Sequence, residues 1–266
     1  DEVYHEALVH PGMFSHAEPR RVAIIGGGDG AALREVLKHE SLEKVVLIEI
    51  DERIVDFARE YLPSWSDCSD IIGSRASCFD DPRVDVHYAD ALTWFTEHFW
   101  DSDEMVSLDE KFDVIIMDAL DLEDHVDFAN ALYDNKVFAQ ALYNSLTEHG
   151  VIIMQLGESP DASDPAEGLG RYKNREKIVE LFGEVGMKDM HAYEEFHSRF
   201  FAPWSYMLAC KDSLCRREFR QKAPETELAI HKRILRSHSG KPLLKYFDGA
   251  TLSSYRMPYK ALETVY

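Results

Sequence analysis

The sequence predicts an α/β fold built on a doubly wound, mostly parallel sheet, and three observations carry that expectation. Short apolar runs rich in Val and Ile alternate with helical patterns from residue 20 onward. The runs are apolar on both faces, as strands covered by helices on two sides must be. A glycine-rich turn stands where the first run hands over to the first helical segment. A closed barrel of the alternating type would need about eight strand–helix units, and the chain offers too few.

In chain order, Arg21 to Ile25 (RVAII) reads as a buried strand, followed by the glycine turn and a helix from Ala31 to Lys38. Val45 to Ile50 (VVLIEI) is a second strand, with a helix from Arg53 to Tyr61. Val84 to Tyr88 is a third and Phe112 to Met117 (FDVIIM) a fourth; a helix around Lys136 to Ser145 then leads to a fifth, Gly150 to Gln155 (GVIIMQ). Ser64 to Pro82, rich in Ser, Asp and Cys, reads as a long loop. Gly157 to Gly170 is a Pro/Asp/Gly-rich loop at the carboxyl end of the fifth strand. That edge is where such sheets bind ligands, so the loop is placed to cover a site. Basic helix-like runs follow at Cys215 to Gln221 and His231 to Arg236, then an aromatic tail.

Composition narrows the partners. The 266 residues carry 49 acidic and 29 basic side chains, a formal net charge of −20. Acidity of this size argues against nucleic acid and against an anionic membrane surface, while tolerating a cationic ligand. The apolar share of 45% sustains a full core and excludes wholesale disorder. No run approaches the roughly 18 apolar residues of a membrane span. The opening DEVYHEALVH lacks the basic start and apolar stretch of a secretion signal. Cys68, Cys78, Cys210 and Cys215 lack zinc-like spacing, so no metal site is expected. Ordinary thiols in a reducing, cytoplasmic compartment are the default expectation.

The turn Gly26-Gly27-Gly28-Asp29-Gly30 permits a tight bend and lets a ligand lie against the backbone. A dinucleotide site would keep the helix N-terminus bare for a pyrophosphate. Asp29 occupies that approach, and its carboxylate repels phosphate but suits a ligand with positive charge near a nucleoside. Glu49 ends the second strand and can accept from both ribose hydroxyls; a solvated strand-end acid is the alternative. Asp90, just beyond the third strand, can face an adenine amino group or cap the helix that starts at Ala91. Asp118 and Asp121, in MDALD, end the fourth strand. Two carboxylates there raise one another's proton affinity and can hold an ammonium group and take its proton; a turn built on short acids is the alternative.

Taken together these words resemble the polyamine aminopropyltransferases, the spermidine, spermine and thermospermine synthases. The resemblance runs from Tyr4 to about residue 210, on Tyr4-His5-Glu6 with Leu8-Val9-His10-Pro11 and on IIGGGDGAALREVLKH from Ile24 to His39. IEID (Ile48 to Asp51), DDPRV before Tyr88-Ala89-Asp90, FDVIIMD and GVIIMQ complete the series. The resemblance implies a Rossmann-like sheet of the S-adenosylmethionine-dependent methyltransferase type. It implies transfer of an aminopropyl group from decarboxylated S-adenosylmethionine, a co-substrate, to a polyamine, with no tightly bound cofactor. Carried over, Asp29 and Asp118 would hold the donor's ammonium, His5 would contact the donor, Gly26, Gly28 and Gly30 would cradle it, Glu49 would take the ribose, and Asp90 with Ala91 the adenine. Tyr4, Asp118 and Asp121 would position the acceptor amine, with Asp118 taking its proton, and Gln155 matches a glutamine of the acceptor pocket.

One catalytic domain is expected over residues 1–266, with a nucleoside-binding core of about residues 20–210, an extension over residues 211–266, and the family's small N-terminal β domain absent from the chain. A homodimer or tetramer is also implied. The chain departs from the family after Asp121, where Leu122-Glu123-Asp124-His125 replaces a Pro-containing element, so Leu122 to Asn130 leaves the acceptor open. HSRFFAPWSYML resembles a shortened Pro-aromatic segment. An N-methyltransferase using S-adenosylmethionine, a non-catalytic paralogue that binds polyamine or nucleoside, and a nicotinamide oxidoreductase, which Asp29 disfavours, are the alternatives.

Overall fold

The computed structural model describes residues 1–100, 107–121, 132–160 and 174–257. Helix α1 (Glu2–Ser15) precedes β1 (Arg21–Gly26), α2 (Ala31–Leu37), β2 (Lys44–Glu49), α3 (Glu52–Tyr61), β3 (Val84–Tyr88), α4 (Ala91–Phe99) and β4 (Phe112–Asp118). Then come α5 (Lys136–Ser145), β5 (Leu146–Glu158), α6 (Arg175–Val185), β6 (Asp189–Glu195), β7 (Trp204–Cys210), α7 (Leu214–Phe219), α8 (Ala223–Arg233) and α9 (Gly249–Tyr255). The strands form one seven-stranded sheet in the order β3-β2-β1-β4-β5-β7-β6.

β1 is an interior strand, parallel to β2 on one side and β4 on the other, with Ile24 level with Leu47 and Ile116. Its neighbours in sequence and in space diverge there, so the connections leave in opposite directions and open a crevice at the strands' carboxyl ends. The runs predicted as strands are β1 to β5, with β3 at one edge of the sheet. Two buried clusters, one on each face, separate Val22, Ile24, Val45 and Val114 from Ala23, Ile25, Val46 and Ile115. That division is the period-two alternation of a sheet with both faces covered.

Besides the helices α6 and α9, three elements lie outside the sequence expectation. β6 and β7 form an antiparallel pair, with Tyr193 opposite Tyr206, and β7 also runs antiparallel to β5. α1 is the third. His5 through Ser15 are all buried, so it has no solvent face and no apolar stripe to betray it, and Pro11 interrupts the pattern. Gly12 lets α1 lie on the sheet, since a β-carbon there would stand 2.9 Å from Ile153 Cγ2.

The cysteine expectation is corrected. Cys68 pairs with Cys78, Cα to Cα 5.1 Å, and Cys210 pairs with Cys215, leaving no free thiol. The chain folds back on itself between each pair, a proximity that spacing alone does not reveal. Among the described residues, no helix is long and apolar enough to cross a membrane.

α1 and α2 meet across a buried polar network. His10 Nε2 donates to Glu35 at 3.0 Å, which leaves His10 Nδ1 to accept from His39 Nε2 at 3.0 Å. Burial would push Glu35 up, but Lys38, His10 and Arg34 together hold it well below its ordinary value. Burial, with His10 and Arg233 nearby, pushes His39 well below the ordinary 6.5. The folded protein therefore keeps His39 neutral while the unfolded chain protonates it, and stability is lost as pH falls below about 6.5; His16 and His191 act in the same direction. Urea midpoints should fall on acidification through this window, and His39→Gln, which still offers an N–H to His10, should flatten the slope. An unchanged slope in that variant would contradict the assignment.

Candidate active site

The glycine turn brings three strand ends together. Gly27 N–H donates to the Asp118 carbonyl at 3.2 Å, so the loop after β1 is stitched to the end of β4. Gly30 N–H closes the turn onto the Gly27 carbonyl at 2.9 Å, and Asp29 Oδ1 accepts from Ala31 N–H at 2.8 Å at the start of α2. Asp29 thus occupies the helix entrance, as its place in the sequence suggests. Gly28 N–H donates to Glu49 Oε2 at 3.1 Å, and Asp51 N–H donates to Glu49 Oε1 at 3.0 Å. Both Glu49 oxygens are aimed by the backbone, and each keeps a lone pair for a hydroxyl.

Beside Glu49 opens a pocket of about 240 Å³ whose walls include Ile25, Ile48, Ile50, Ala91 and Leu120. Its apolar faces and its position at the carboxyl edge suit a flat base. Ala91 lines it directly. Asp90 caps α4, accepting from Leu92 N–H at 3.0 Å and from the Thr93 hydroxyl at 3.2 Å. A groove of about 920 Å³ lies elsewhere, between α8 and residues 236–248, and touches none of the predicted site residues.

At the other end of the crevice three acceptors converge. His5 Nε2 lies 3.6 Å from Asp118 Oδ2 and 3.9 Å from Asp29 Oδ2, and the three atoms fall within 4.8 Å of one another. His5 Nδ1–H donates to the Asp1 carbonyl at 2.8 Å, so in the neutral ring Nε2 is an acceptor. Three acceptors around one point match the three N–H bonds of a primary ammonium. Tyr4 donates to Asp118 Oδ1 at 2.9 Å. Burial, reinforced by Asp118, pushes the Tyr4 phenol well above its ordinary value, so Tyr4 remains a donor.

Burial, and next the charge of Asp118, raise the Asp29 carboxyl above its ordinary value, against the pull of His5, the Ala31 N–H and Arg34. A raised carboxyl loses its charge at a higher pH than free aspartate does. A cationic ligand that needs Asp29 ionised should therefore weaken on acidification earlier than free aspartate would dictate. KM for such a ligand, measured against pH, should rise on the acid side, and Asp29→Asn should raise it throughout and flatten that limb. A limb at the free-aspartate position would contradict the geometry.

Gln155 and Asp121 are brought together by the register of β5. Gln155 Nε2 donates to Asp121 Oδ1 at 2.8 Å and to the Ala119 carbonyl at 2.8 Å, while its Oε1 accepts from Trp204 Nε1 at 3.1 Å. Trp204 and Phe200 close an aromatic wall against Tyr4, with ring centroids 6.3 and 5.8 Å away. Both rings lie in the Pro-aromatic segment HSRFFAPWSYML, where nothing in the local sequence marks their role. All the predicted residues except Asp90 thus gather on one crevice by bonding or lining; Asp90 sits at its rim as a helix cap. Leu122 to Asn130, and residues 161–170 of the predicted covering loop, lie outside the described residues.

The spermine/spermidine synthase domain family matches residues 1–164. A polyamine aminopropyltransferase of Thermococcus onnurineus is 34% identical over 229 residues, covering 86% of this chain and 69% of that one. A polyamine aminopropyltransferase 1 of Hyperthermus butylicus is 46% identical over 121 residues, covering 46% of this chain and 36% of its own length. A relative of the same name from Pyrobaculum calidifontis is 38% identical over 159 residues, 60% of this chain and 49% of its own. The chain therefore spans between about a third and two thirds of these relatives. A crystal structure of spermidine synthase from Thermotoga maritima superimposes with a TM-score of 0.71 at 27% identity, covering 99% of this chain and 73% of that one. The same values hold for a spermidine synthase in complex with the transition state analogue AdoDATO. The mostly parallel, methyltransferase-type sheet expected from the sequence is thus the fold.

Proposed function

Because the chain belongs to the spermine/spermidine synthase family, we propose that its crevice transfers an aminopropyl group from decarboxylated S-adenosylmethionine to a polyamine amine, releasing methylthioadenosine. The observation that carries this reading is the convergence of His5 Nε2, Asp29 Oδ2 and Asp118 Oδ2 within 4.8 Å, at the far end of a crevice that begins at Glu49. Adenine enters the apolar pocket, ribose meets Glu49, and the donor's terminal ammonium meets the three acceptors. Ordinary S-adenosylmethionine would bring its carboxylate against Asp29 and Asp118, which repel it. That repulsion disfavours the N-methyltransferase reading.

The chemistry asks little beyond placement. The sulfonium makes its neighbouring carbon electrophilic, the acceptor nitrogen forms a new N–C bond, and the C–S bond breaks to a neutral thioether. The acceptor amine is protonated at neutral pH, with a pKa of about 10 like that of lysine. Asp118 takes that proton, while Asp121, held by Gln155, and the Tyr4–Trp204 wall orient the amine for attack. Retention of both carboxylates also favours an enzyme over a binding paralogue.

The same proposal includes one catalytic domain, with a core of about residues 20–210 and an extension over 211–266, in a homodimer or tetramer. The cytoplasmic expectation is left out of it, because the two disulfides argue against a reducing compartment. A mass-spectrometric screen with the decarboxylated donor and putrescine, spermidine or longer amines tests the reaction. One amine should return heavier by a single aminopropyl unit, and failure with every amine would overturn the reading.

A further inference from the structure

Arg34 makes no contact with the crevice, yet three segments that wall its ammonium end meet on its guanidinium. It lies one turn into α2, its N–H bonded to the Gly30 carbonyl at 2.9 Å. The side chain is buried. Nε donates to Glu35 Oε1 at 2.8 Å, and Nη1 reaches Asp1 Oδ2 at 3.1 Å and the carbonyls of Trp65 and Ser64 at 3.0 and 3.4 Å.

Each tie leads to the same place. The Asp1 carbonyl accepts both the backbone N–H of His5, at 3.0 Å, and its ring Nδ1–H, at 2.8 Å. Whatever holds Asp1 therefore sets the direction of His5 Nε2. The Trp65 ring stands edge-on to the His5 ring, centroids 6.0 Å apart. Ser66, the next residue, packs so closely on the glycine turn that a β-carbon at Gly30 would stand 2.7 Å from its own. Glu49, by contrast, is aimed by Gly28 and Asp51 and has no bond to Arg34.

We infer that Arg34 is a positioning residue for the aminopropyl end of the donor, holding the start of α1 and the loop at Ser64 and Trp65 so that His5, Asp29 and Asp118 keep their convergence; the inference rests on the function proposed above. A guanidinium suits the task because its planar fork serves several acceptors at once, whereas a lysine offers one nitrogen. Without the fork, the Asp1 carboxylate and two carbonyls turn to water, and His5 loses its fixed bearing. A misplacement of about 1 Å in such a site costs on the order of 100-fold.

The test is calorimetric binding of methylthioadenosine and of the decarboxylated donor to the parent chain, Arg34→Met and Arg34→Lys. The two ligands share adenosine and differ in the ammonium arm. Arg34→Met should weaken the decarboxylated donor by about tenfold or more while leaving methylthioadenosine almost unchanged, as misplacement confined to one end predicts. Arg34→Lys, which keeps the charge beside Glu35, should fall between, and it preserves the comparison where the Met variant does not fold. Equal weakening of both ligands, or of neither, would overturn the inference. A parent that binds methylthioadenosine but not the decarboxylated donor would overturn the functional reading, and this inference with it.

Discussion

Asp118→Asn is expected to lower kcat by about 10²- to 10⁴-fold, the range for loss of a positioned base, with the fold intact. The amide keeps the shape of the carboxylate, and its oxygen can still accept from Tyr4, so the packing at the end of β4 survives. It cannot accept the proton that must leave the acceptor nitrogen. Its N–H group also turns a donor toward an ammonium that needs acceptors, so KM for the decarboxylated donor should rise as well. The repulsion that Asp118 exerts on Asp29 disappears, so thermal stability should not fall. Steady-state kinetics with a melting curve checks all three statements. Unchanged turnover would place the base elsewhere.

The second large effect is structural. Gly26 has φ +75°, and a β-carbon there would stand 2.3 Å from the Asp118 carbonyl oxygen and 3.0 Å from its carbon. Neither partner can yield, because Gly26 is level with Asp118 in the β1–β4 ladder and Gly27 N–H is bonded to the same oxygen. Left-handed backbone alone costs a non-glycine residue about 1–3 kcal/mol, and the clash adds to it. Gly26→Ala should therefore shift the urea midpoint and displace Asp118, lowering turnover in the molecules that remain folded. Gly73 is the control, with φ +93° and nothing within 4 Å of a β-carbon. Gly73→Ala should show the backbone cost without the clash and keep its turnover. Equal destabilisation in the two variants, with turnover retained, would contradict the account of Gly26.

How much of this was legible in the sequence follows from where each side chain lies. Four of the five parallel strands announce themselves because both of their faces are buried, the edge strand β3 being half-exposed, and the carboxylates then fall at or just past strand ends by counting. Asp29, Glu49 and Asp118 were accessible in that way. α1 was hidden by its own burial and by Pro11, although Tyr4 and His5 on it were singled out by resemblance. β6 and β7 escape the sequence pattern because an antiparallel pair with a half-polar edge strand lacks the intervening helix that marks a parallel unit. The Gln155–Asp121 bond and the Trp204 contact depend on the register between β5 and its neighbours, which no local pattern encodes. The cysteine pairs depend in the same way on the path of a loop.

The most direct test of the central claim is a competition for donor. The protein would be given equal amounts of S-adenosylmethionine and its decarboxylated form, together with the acceptor found in the amine screen, and the nucleoside product would be identified. A cleft in which Asp29, Asp118 and His5 converge on an ammonium and repel a carboxylate predicts methylthioadenosine almost alone. S-adenosylhomocysteine as the main product would contradict it.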